Sequence, residues 1–411
     1  MSRAGTSTTT TTTTSSGLFS PLHQRLIEFE GRIRRWKFFG GNRRQPRSAS
    51  SDPKAGPLSA RSTPKRPVAF PPGALTCPVP RRGMMLPINI NSEPDRPTVS
   101  EEELIERDRE IAAQSGVIKI GPQIYNNVTY KQLVLLGDLG EGACGRVTQM
   151  RLDNRIIAVK EMKRTNEAEG RRVFTDLHVI TRSNDCEFIV HSYGYILTPD
   201  NVYICMEMMA TCLEKLYKDH LLPQQQFFPV PVLGKISVSV IKALKYLKEQ
   251  HEIMHRDIKP SNILMDFNGN IKLCDFGIAG RLIDSLASTS SMGATAYLSP
   301  ERIGEYRRYD VRADVWALGI TLVELALCRY PYTFNSPFDL MIAIGHNPAP
   351  QLPESFPPEF RNFIAQCLEK NVTNRPKYDK LVETEWFIRS DAAHVNVGEW
   401  LEEITGETGE E

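Results

Sequence analysis

His255-Arg256-Asp257-Ile258-Lys259-Pro260-Ser261-Asn262, followed by Asp275-Phe276-Gly277, is the stretch that decides how this chain is read. Asp257 is a carboxylate placed to take the proton of a hydroxyl nucleophile. Lys259, two residues on, is placed to steady a transferred phosphoryl group. Asn262 and Asp275 offer the oxygen ligands that a hard cation such as Mg²⁺ prefers. A loose, metaphosphate-like transition state asks for positioning and positive charge more than for covalent chemistry. These residue types in this order therefore imply phosphoryl transfer from a nucleotide.

Working outward, the run Gly140-Glu141-Gly142-Ala143-Cys144-Gly145-Arg146-Val147 lies upstream. The dinucleotide-binding fingerprint shares its first six positions, so the run alone is ambiguous. A dinucleotide loop leads into a helix, with an acidic residue about 20 positions further on. Here Val147 opens a second extended run, and Ile156-Ile157-Ala158-Val159-Lys160 follows as a third strand. Strand, loop, strand, strand suits a glycine flap over phosphates, with Lys160 reaching the α and β phosphates. Ser299-Pro300-Glu301, Asp314-Val315-Trp316-Ala317-Leu318-Gly319 and Arg375 complete seven elements in order. Taken singly, each has a plain structural reading: Lys160 a strand-end lysine, Asp275 a turn aspartate, His255 a core histidine. Their joint order is what carries the inference.

Over roughly residues 130–388 the chain resembles the protein kinases, and within them the MAP kinase kinases. The resemblance implies an α+β, bilobal fold: a small β-rich N-lobe of about residues 130–207 and a larger helical C-lobe of about 210–388. It implies an ATP site built from Leu139, Gly140, Gly142, Cys144, Gly145, Val147, Ala158 and Lys160. The hinge Ile204-Cys205-Met206-Glu207-Met208-Met209 completes that site, with Met206 backing the adenine pocket and the backbone of Glu207 and Met208 bonding the base. Catalysis would fall to Asp257, Lys259, Lys160 and Asp176, with Mg²⁺ on Asn262 and Asp275.

Asp176 is a departure, because kinases usually pair the strand lysine with Glu from the small-lobe helix. Asp is one methylene shorter, so the helix must approach more closely; Glu169 is an alternative partner. Ala294 after Gly293, where many kinases have Thr, and Ser299 in place of Ala are the other departures.

The activation segment gives the finer resemblance. Ser285-Leu286-Ala287-Ser288-Thr289 is similar to the phosphorylated S-x-A-x-[ST] of MAP kinase kinases, which implies activating sites at Ser285 and Thr289. Ser288, Ser290 and Ser291 would be auxiliary or unused. Arg256 and Arg281 are candidate receivers of the added charge. Ile118-Lys119-Ile120-Gly121, Cys144, Leu273-Cys274 and the tail Val395 to Ile404 resemble the JNK-activating branch. In the tail, Val397, Trp400, Leu401 and Ile404 recur at helical spacing, which predicts an amphipathic helix. It would dock an upstream MAP kinase kinase kinase, pack on the large lobe, or both; residues 389–411 form this docking helix and an acidic tail.

The flanking N-terminal segment differs in composition. Residues 1–100 hold 16 Lys and Arg against 5 Asp and Glu, giving +11, while the whole chain carries only +1. The remainder therefore carries −10. With its Thr8–Thr14 tract and abundant Pro, Ser and Arg, this segment lacks the apolar area to offset ordering entropy. Residues 1–117 are thus read as a basic, disordered arm. Leu18 to Phe39 is a candidate amphipathic helix within it. Arg81-Arg82-Gly83-Met84-Met85-Leu86-Pro87-Ile88-Asn89-Ile90 is similar to the MAP kinase docking motif. An extended peptide would turn Leu86, Ile88 and Ile90 to one side, and Arg81 and Arg82 would meet an acidic patch on a JNK-type MAP kinase. Lys65-Arg66-Pro67-Val68-Ala69-Phe70 is a weaker copy.

Eight scattered cysteines without a C-x-x-C pair argue for a reducing compartment and against a zinc site or disulfide framework. No signal peptide is expected, because the first residues lack an apolar core. The apolar run Trp316–Cys328 contains Glu324 and is too short to span a membrane, so it reads as a buried helix.

The expectation is a dual-specificity kinase of the stress branch, cytoplasmic with the nucleus as a second location. Its substrate would be a JNK-type MAP kinase at a Thr-x-Tyr motif, and a scaffold protein is a further partner. Alternatives are a kinase for a different stress-activated MAP kinase, or a weakly active scaffold. Nucleic acid is not an expected partner; a nucleic-acid-binding arm would reveal itself by steep salt dependence.

Overall fold

The computed structural model describes residues 101–142, 145–163, 177, 179–275, 296–304 and 309–408. The docking motif, Cys144, Asp176, Glu169, Arg281, Ser285, Thr289 and Ala294 lie outside them.

Helix α1, Glu101–Ala113, comes first. The sequence reading extends the disordered arm through residue 117; the structure instead gives this stretch as helix. Ile111 is buried, and its carbonyl accepts from the Tyr195 hydroxyl at 2.8 Å. That contact fastens the helix to the small lobe.

Two short strands, β1 Ile118–Ile120 and β2 Gln123–Tyr125, pair with each other. Then come β3 Val134–Gly142, β4 Gly145–Leu152, β5 Arg155–Lys163, β6 Ser192–Leu197 and β7 Asn201–Met206. They form one antiparallel sheet in the order β3-β4-β5-β7-β6. Its β-branched and aromatic residues suit a half-buried pleated surface. One face packs Ile157, Val159, Cys205, Tyr203 and Ile196 into a core with β1.

The larger lobe is helical. α2, Val230–His251, buries Val232, Leu233, Ile236, Val240, Ile241, Leu244 and Leu247, a 3.6-residue stripe. It ends at Glu252, a left-handed residue (φ 55°) whose N–H caps the last carbonyls. α3, Arg312–Leu327, is buried along nearly its whole length, as expected for the longest apolar run. Gly319 lets it approach α5, Pro358–Cys367: a Cβ there would lie 2.7 Å from the Leu368 side chain and 2.9 Å from Cys367. In the chain, α4, Pro337–His346, lies between these two helices. α6, Glu385–Ala392, stacks Trp386 on Phe360 of α5 with ring centroids 4.2 Å apart.

The predicted tail helix is α7, Val397–Thr405. Val397, Leu401 and Ile404 join the large-lobe core, and Trp400 packs on Phe228. Packing on the large lobe is therefore realised in the fold. No described helix is long and apolar enough to cross a membrane.

Candidate active site

The cleft lies between the sheet and the large lobe. Residues directly opposite in an antiparallel pair point to the same side. Val147 faces Lys160, and Lys160 faces Ile204. One step along, Gln149 faces Ala158, which faces Met206. The register thus brings Val147, Ala158, Lys160 and Met206 onto one surface. Gly140 pairs with Val147 and Gly142 with Gly145, so the glycine run folds back as a hairpin above that surface, beside Leu139. Gly145 has φ 129°, and a Cβ there would lie 2.0 Å from the Glu161 carbonyl oxygen. Only glycine fits that position.

At the hinge, the Glu207 N–H donates to the His191 carbonyl at 3.0 Å, and Ala210 N–H to Met265. The Met208 and Met209 N–H groups meet no protein acceptor among the described residues. No sequence signal marks Met209 as a base-binding residue, yet its N–H is as available as that of Met208.

The lower side of the cleft is built by a hairpin. β8, Ile263–Met265, and β9, Ile271–Leu273, are antiparallel, with Ile263 opposite Leu273. Asn262 and Cys274, just outside those ends, are therefore neighbours, and Cys274 N–H donates to the Asn262 carbonyl at 3.0 Å. Asp275 follows in left-handed backbone (φ 65°). The hairpin sets Asn262 and Asp275 side by side although thirteen positions separate them.

Asn262 Nδ2 donates to the Asp257 carbonyl at 2.8 Å and to Asp257 Oδ2 at 2.9 Å. That orientation leaves Asn262 Oδ1 as an acceptor. Lys259 Nζ donates to Asp257 Oδ2 at 2.7 Å. Lys160 Nζ meets Asp275 Oδ1 at 2.5 Å, with the lysine side chain only 3% exposed. Burial alone would raise the Asp275 carboxyl. The Lys160 charge and hydrogen bond, with Lys259 adding, hold it below the usual range.

His255 is fully buried, and desolvation keeps its imidazole below the usual range and therefore neutral. Its Nε2 lies 2.8 Å from the Cys274 carbonyl, which can only accept, so Nε2 carries the proton. Nδ1 is then the acceptor for the Asp257 N–H at 3.3 Å. The ring thus spans from the backbone of Asp257 to the strand that precedes Asp275.

Asp314, 1% exposed, accepts from the N–H groups of His255 (2.9 Å) and Arg256 (2.7 Å), and from Tyr378 Oη (3.1 Å). It holds Arg256 in left-handed backbone, φ 71°. Arg375 makes a bidentate pair with Glu301, at 2.7 and 3.1 Å, and lies over the Trp316 ring. Ser299 is wholly buried, a place that tolerates only a small side chain.

The site can orient a carboxylate toward a hydroxyl, keep a cation at the transferred group, and offer outward oxygens of Asn262 and Asp275. Two hard-oxygen side chains suit Mg²⁺, which usually takes one or two protein ligands and fills its shell with phosphate and water. The residues present fit ATP and Mg²⁺.

Two contacts had no motif to announce them. Lys272 of β9 binds both oxygens of Glu207, at 2.7 and 2.8 Å, tying the hinge to the hairpin. Lys215 donates to the Leu139 carbonyl across the cleft mouth.

A two-lobed fold with a buried strand lysine paired to the aspartate beside a catalytic loop defines a protein kinase. Residues 133–387 match the family model described as protein kinase domain. The chain belongs to the dual-specificity MAP kinase kinases within that family. The dual specificity mitogen-activated protein kinase kinase mek-1 of Caenorhabditis elegans is 46% identical over 283 residues, 68% of this chain and 80% of the relative. The human dual specificity mitogen-activated protein kinase kinase 7 is 43% identical over 316 residues, 74% of each chain. The Drosophila melanogaster relative hemipterous is 43% identical over 332 residues, 79% of this chain and 27% of its own length.

Proposed function

We propose that this chain phosphorylates the Thr and the Tyr of a Thr-x-Tyr motif in a stress-activated, JNK-type MAP kinase. The observation that carries the chemistry is the Asp257 carboxylate, fixed by Lys259 and Asn262 beside the Lys160–Asp275 pair. ATP supplies the γ-phosphoryl group. Val147, Ala158 and Met206 enclose the base, and the hinge backbone at Glu207, Met208 and Met209 reads its edge. Gly140, Gly142 and Gly145 let the loop backbone approach the phosphates, and Leu139 and Cys144 border them. Lys160 orients the α and β phosphates. Asn262 and Asp275 are the residues that would hold Mg²⁺. Asp257 orients the substrate hydroxyl and accepts its proton, while Lys259 offsets charge on the transferred group. Asp176 is the proposed partner of Lys160.

Ser285 and Thr289 are the proposed phosphorylation sites, filled by an upstream MAP kinase kinase kinase. Arg81, Arg82, Leu86, Ile88 and Ile90 dock the substrate kinase and raise its local concentration. A scaffold protein and residence in the cytoplasm and nucleus belong to the same reading.

The test is transfer by Ser285→Asp, Thr289→Asp chain to catalytically dead JNK-type and other MAP kinases, read separately at Thr and Tyr. Labelling of both JNK-type residues that Lys160→Met abolishes is the expected result. Labelling only of a different MAP kinase would move the substrate, and no transfer to any would overturn the reading.

A further inference from the structure

We propose that the tail helix α7 positions the metal-site hairpin, acting through backbone contact between Gly398 and the turn at Gly269. The inference rests on the reading of Asn262 and Asp275 as the Mg²⁺ ligands, and adds what holds them in place from outside the cleft.

The turn that joins β8 to β9 runs from Asp266 to Asn270 and is closed on itself. Gly269 N–H donates to the Asp266 carbonyl at 3.0 Å, and Asp266 N–H to the Asn270 carbonyl at 3.1 Å. The Asp266 carboxylate accepts from Asn270 N–H and Nδ2, both at 2.8 Å. Each strand is three residues long, with Ile263, Met265, Ile271 and Leu273 buried. At ~3.3 Å per residue, about 10 Å of strand separates the turn from Asn262 and Cys274 at the open end. A short, self-bonded hairpin moves as one body, so a displaced turn is felt at Asn262 and at Asp275 just beyond Cys274.

α7 meets that turn backbone to backbone. Gly398 is buried in the first turn of the helix; a Cβ there would stand 2.2 Å from the Phe267 carbonyl oxygen and 3.2 Å from Gly269 N. Gly269 has φ 82°, and a Cβ on it would stand 3.1 Å from Gly398 N and 3.4 Å from Val397 Cβ. One glycine from the tail thus faces one from the hairpin. The Asn396 side chain caps the helix start, accepting from Glu399 N–H at 3.2 Å. At the far end the Ile404 carbonyl accepts from Gln224 Nε2 at 3.0 Å, and between the ends Trp400 packs on Phe228. The helix is anchored along its length, so the turn rests on a fixed surface.

Docking on the large lobe needs only the apolar stripe Val397, Leu401 and Ile404. It does not need glycine at 398, the poorest helix former after proline. The close approach to Phe267 is what requires it. Packed interiors transmit such strain rather than absorb it. Restoring ordinary contact for an added Cβ shifts helix or turn by about 1 Å, a misplacement that can lower a rate about a hundredfold.

The test compares the full chain carrying Gly398→Ala with one carrying Ile364→Val, a buried change on α5, which packs on α3 and α6. Hydrogen exchange read by mass spectrometry, without nucleotide or metal, follows the hairpin itself. Gly398→Ala should speed exchange across residues 263–274 at least about threefold, and Ile364→Val should not. Binding of a fluorescent ADP analogue, with and without Mg²⁺, follows the metal site. Gly398→Ala should cut the affinity gained from Mg²⁺ about tenfold and leave Mg²⁺-free affinity unchanged. Val397→Ala trims only the methyl groups beside Gly269 and should move both readouts the same way by a smaller factor, which decides the matter where Gly398→Ala does not fold.

Faster exchange confined to residues 397–405 overturns the proposal, because the tail then fastens only itself. An equal effect of Ile364→Val on the hairpin overturns it as well, as general softening of the lobe. Faster hairpin exchange with the Mg²⁺ gain intact refutes the coupling to the metal ligands. Faster hairpin exchange in a protein whose unaltered form gains nothing from Mg²⁺ refutes the metal reading and leaves the tail's hold on the hairpin standing.

Discussion

Asp314→Asn tests how the large lobe holds the catalytic loop. The carboxylate accepts two backbone N–H bonds at 2.7 and 2.9 Å and one phenol bond at 3.1 Å, at 1% exposure. An amide keeps one acceptor oxygen and turns an NH₂ toward a donor. One charge-assisted bond, worth about 1.5–3 kcal/mol, is lost, and a buried donor left unsatisfied costs about 1–3 kcal/mol more. The sum is about 2.5–6 kcal/mol, a large part of the ~5–15 kcal/mol of a typical native state. The expected fall in Tm is roughly 5–24 °C. Because Arg256 relies on the lost bond for its left-handed backbone, kcat should fall more than ATP affinity. Tyr378→Phe removes only the phenol bond and should cost about 1 kcal/mol. Urea midpoints and steady-state kinetics of both variants decide. Wild-type Tm and kcat in Asp314→Asn would refute the bracing role.

Lys160→Met should retain the fold by circular dichroism yet lower phosphotransfer at least about a hundredfold, as loss of a preorganised charge at the reacting phosphates does. His255 stays neutral when buried, so below its ordinary value near 6.5 the unfolded chain takes up a proton that the folded chain refuses. Stability should therefore fall as pH drops from about 6.5 toward 5; His251, shifted the same way, adds to this slope. His255→Gln should flatten the Tm-versus-pH curve in that window, and an unchanged slope would count against the neutral ring. Leu401→Ala deletes a fully buried tail side chain and should cost about 2–5 kcal/mol in urea unfolding if the tail is part of the large-lobe core.

Sequence could reveal Asp257, Asn262, Asp275 and Lys160 because local spacing and residue chemistry constrain them together. The tail helix was legible for a similar reason, since Val397, Leu401 and Ile404 recur with the period of the surface they cover. Glu324 looked like a mere interruption of an apolar run. It is in fact buried and bonded by Tyr217 at 2.7 Å and Tyr297 at 2.6 Å, partners from distant parts of the chain. The Lys272–Glu207 contact has no sequence signal because no periodicity links such positions; only the assembled lobes bring them together. Helix α1 did leave a signal. Ser100-x-x-Glu103 is a capping-box pattern, masked by the basic, proline-rich composition of the residues before it.

The Glu207 carboxylate accepts Lys272 from the hairpin and the His191 N–H at 2.6 Å from the approach to β6. Nearby, Val190 N–H donates to Leu273 and Leu273 N–H to Phe188. Small-lobe chain and large-lobe strand are thus riveted along one short line. A rotation between the lobes has its axis at such a line, where displacement is least. Atoms at Glu207 travel little while the tip of the glycine hairpin sweeps the widest arc. Nucleotide exchange would then begin at the phosphate end, with the base the last part to lose its place.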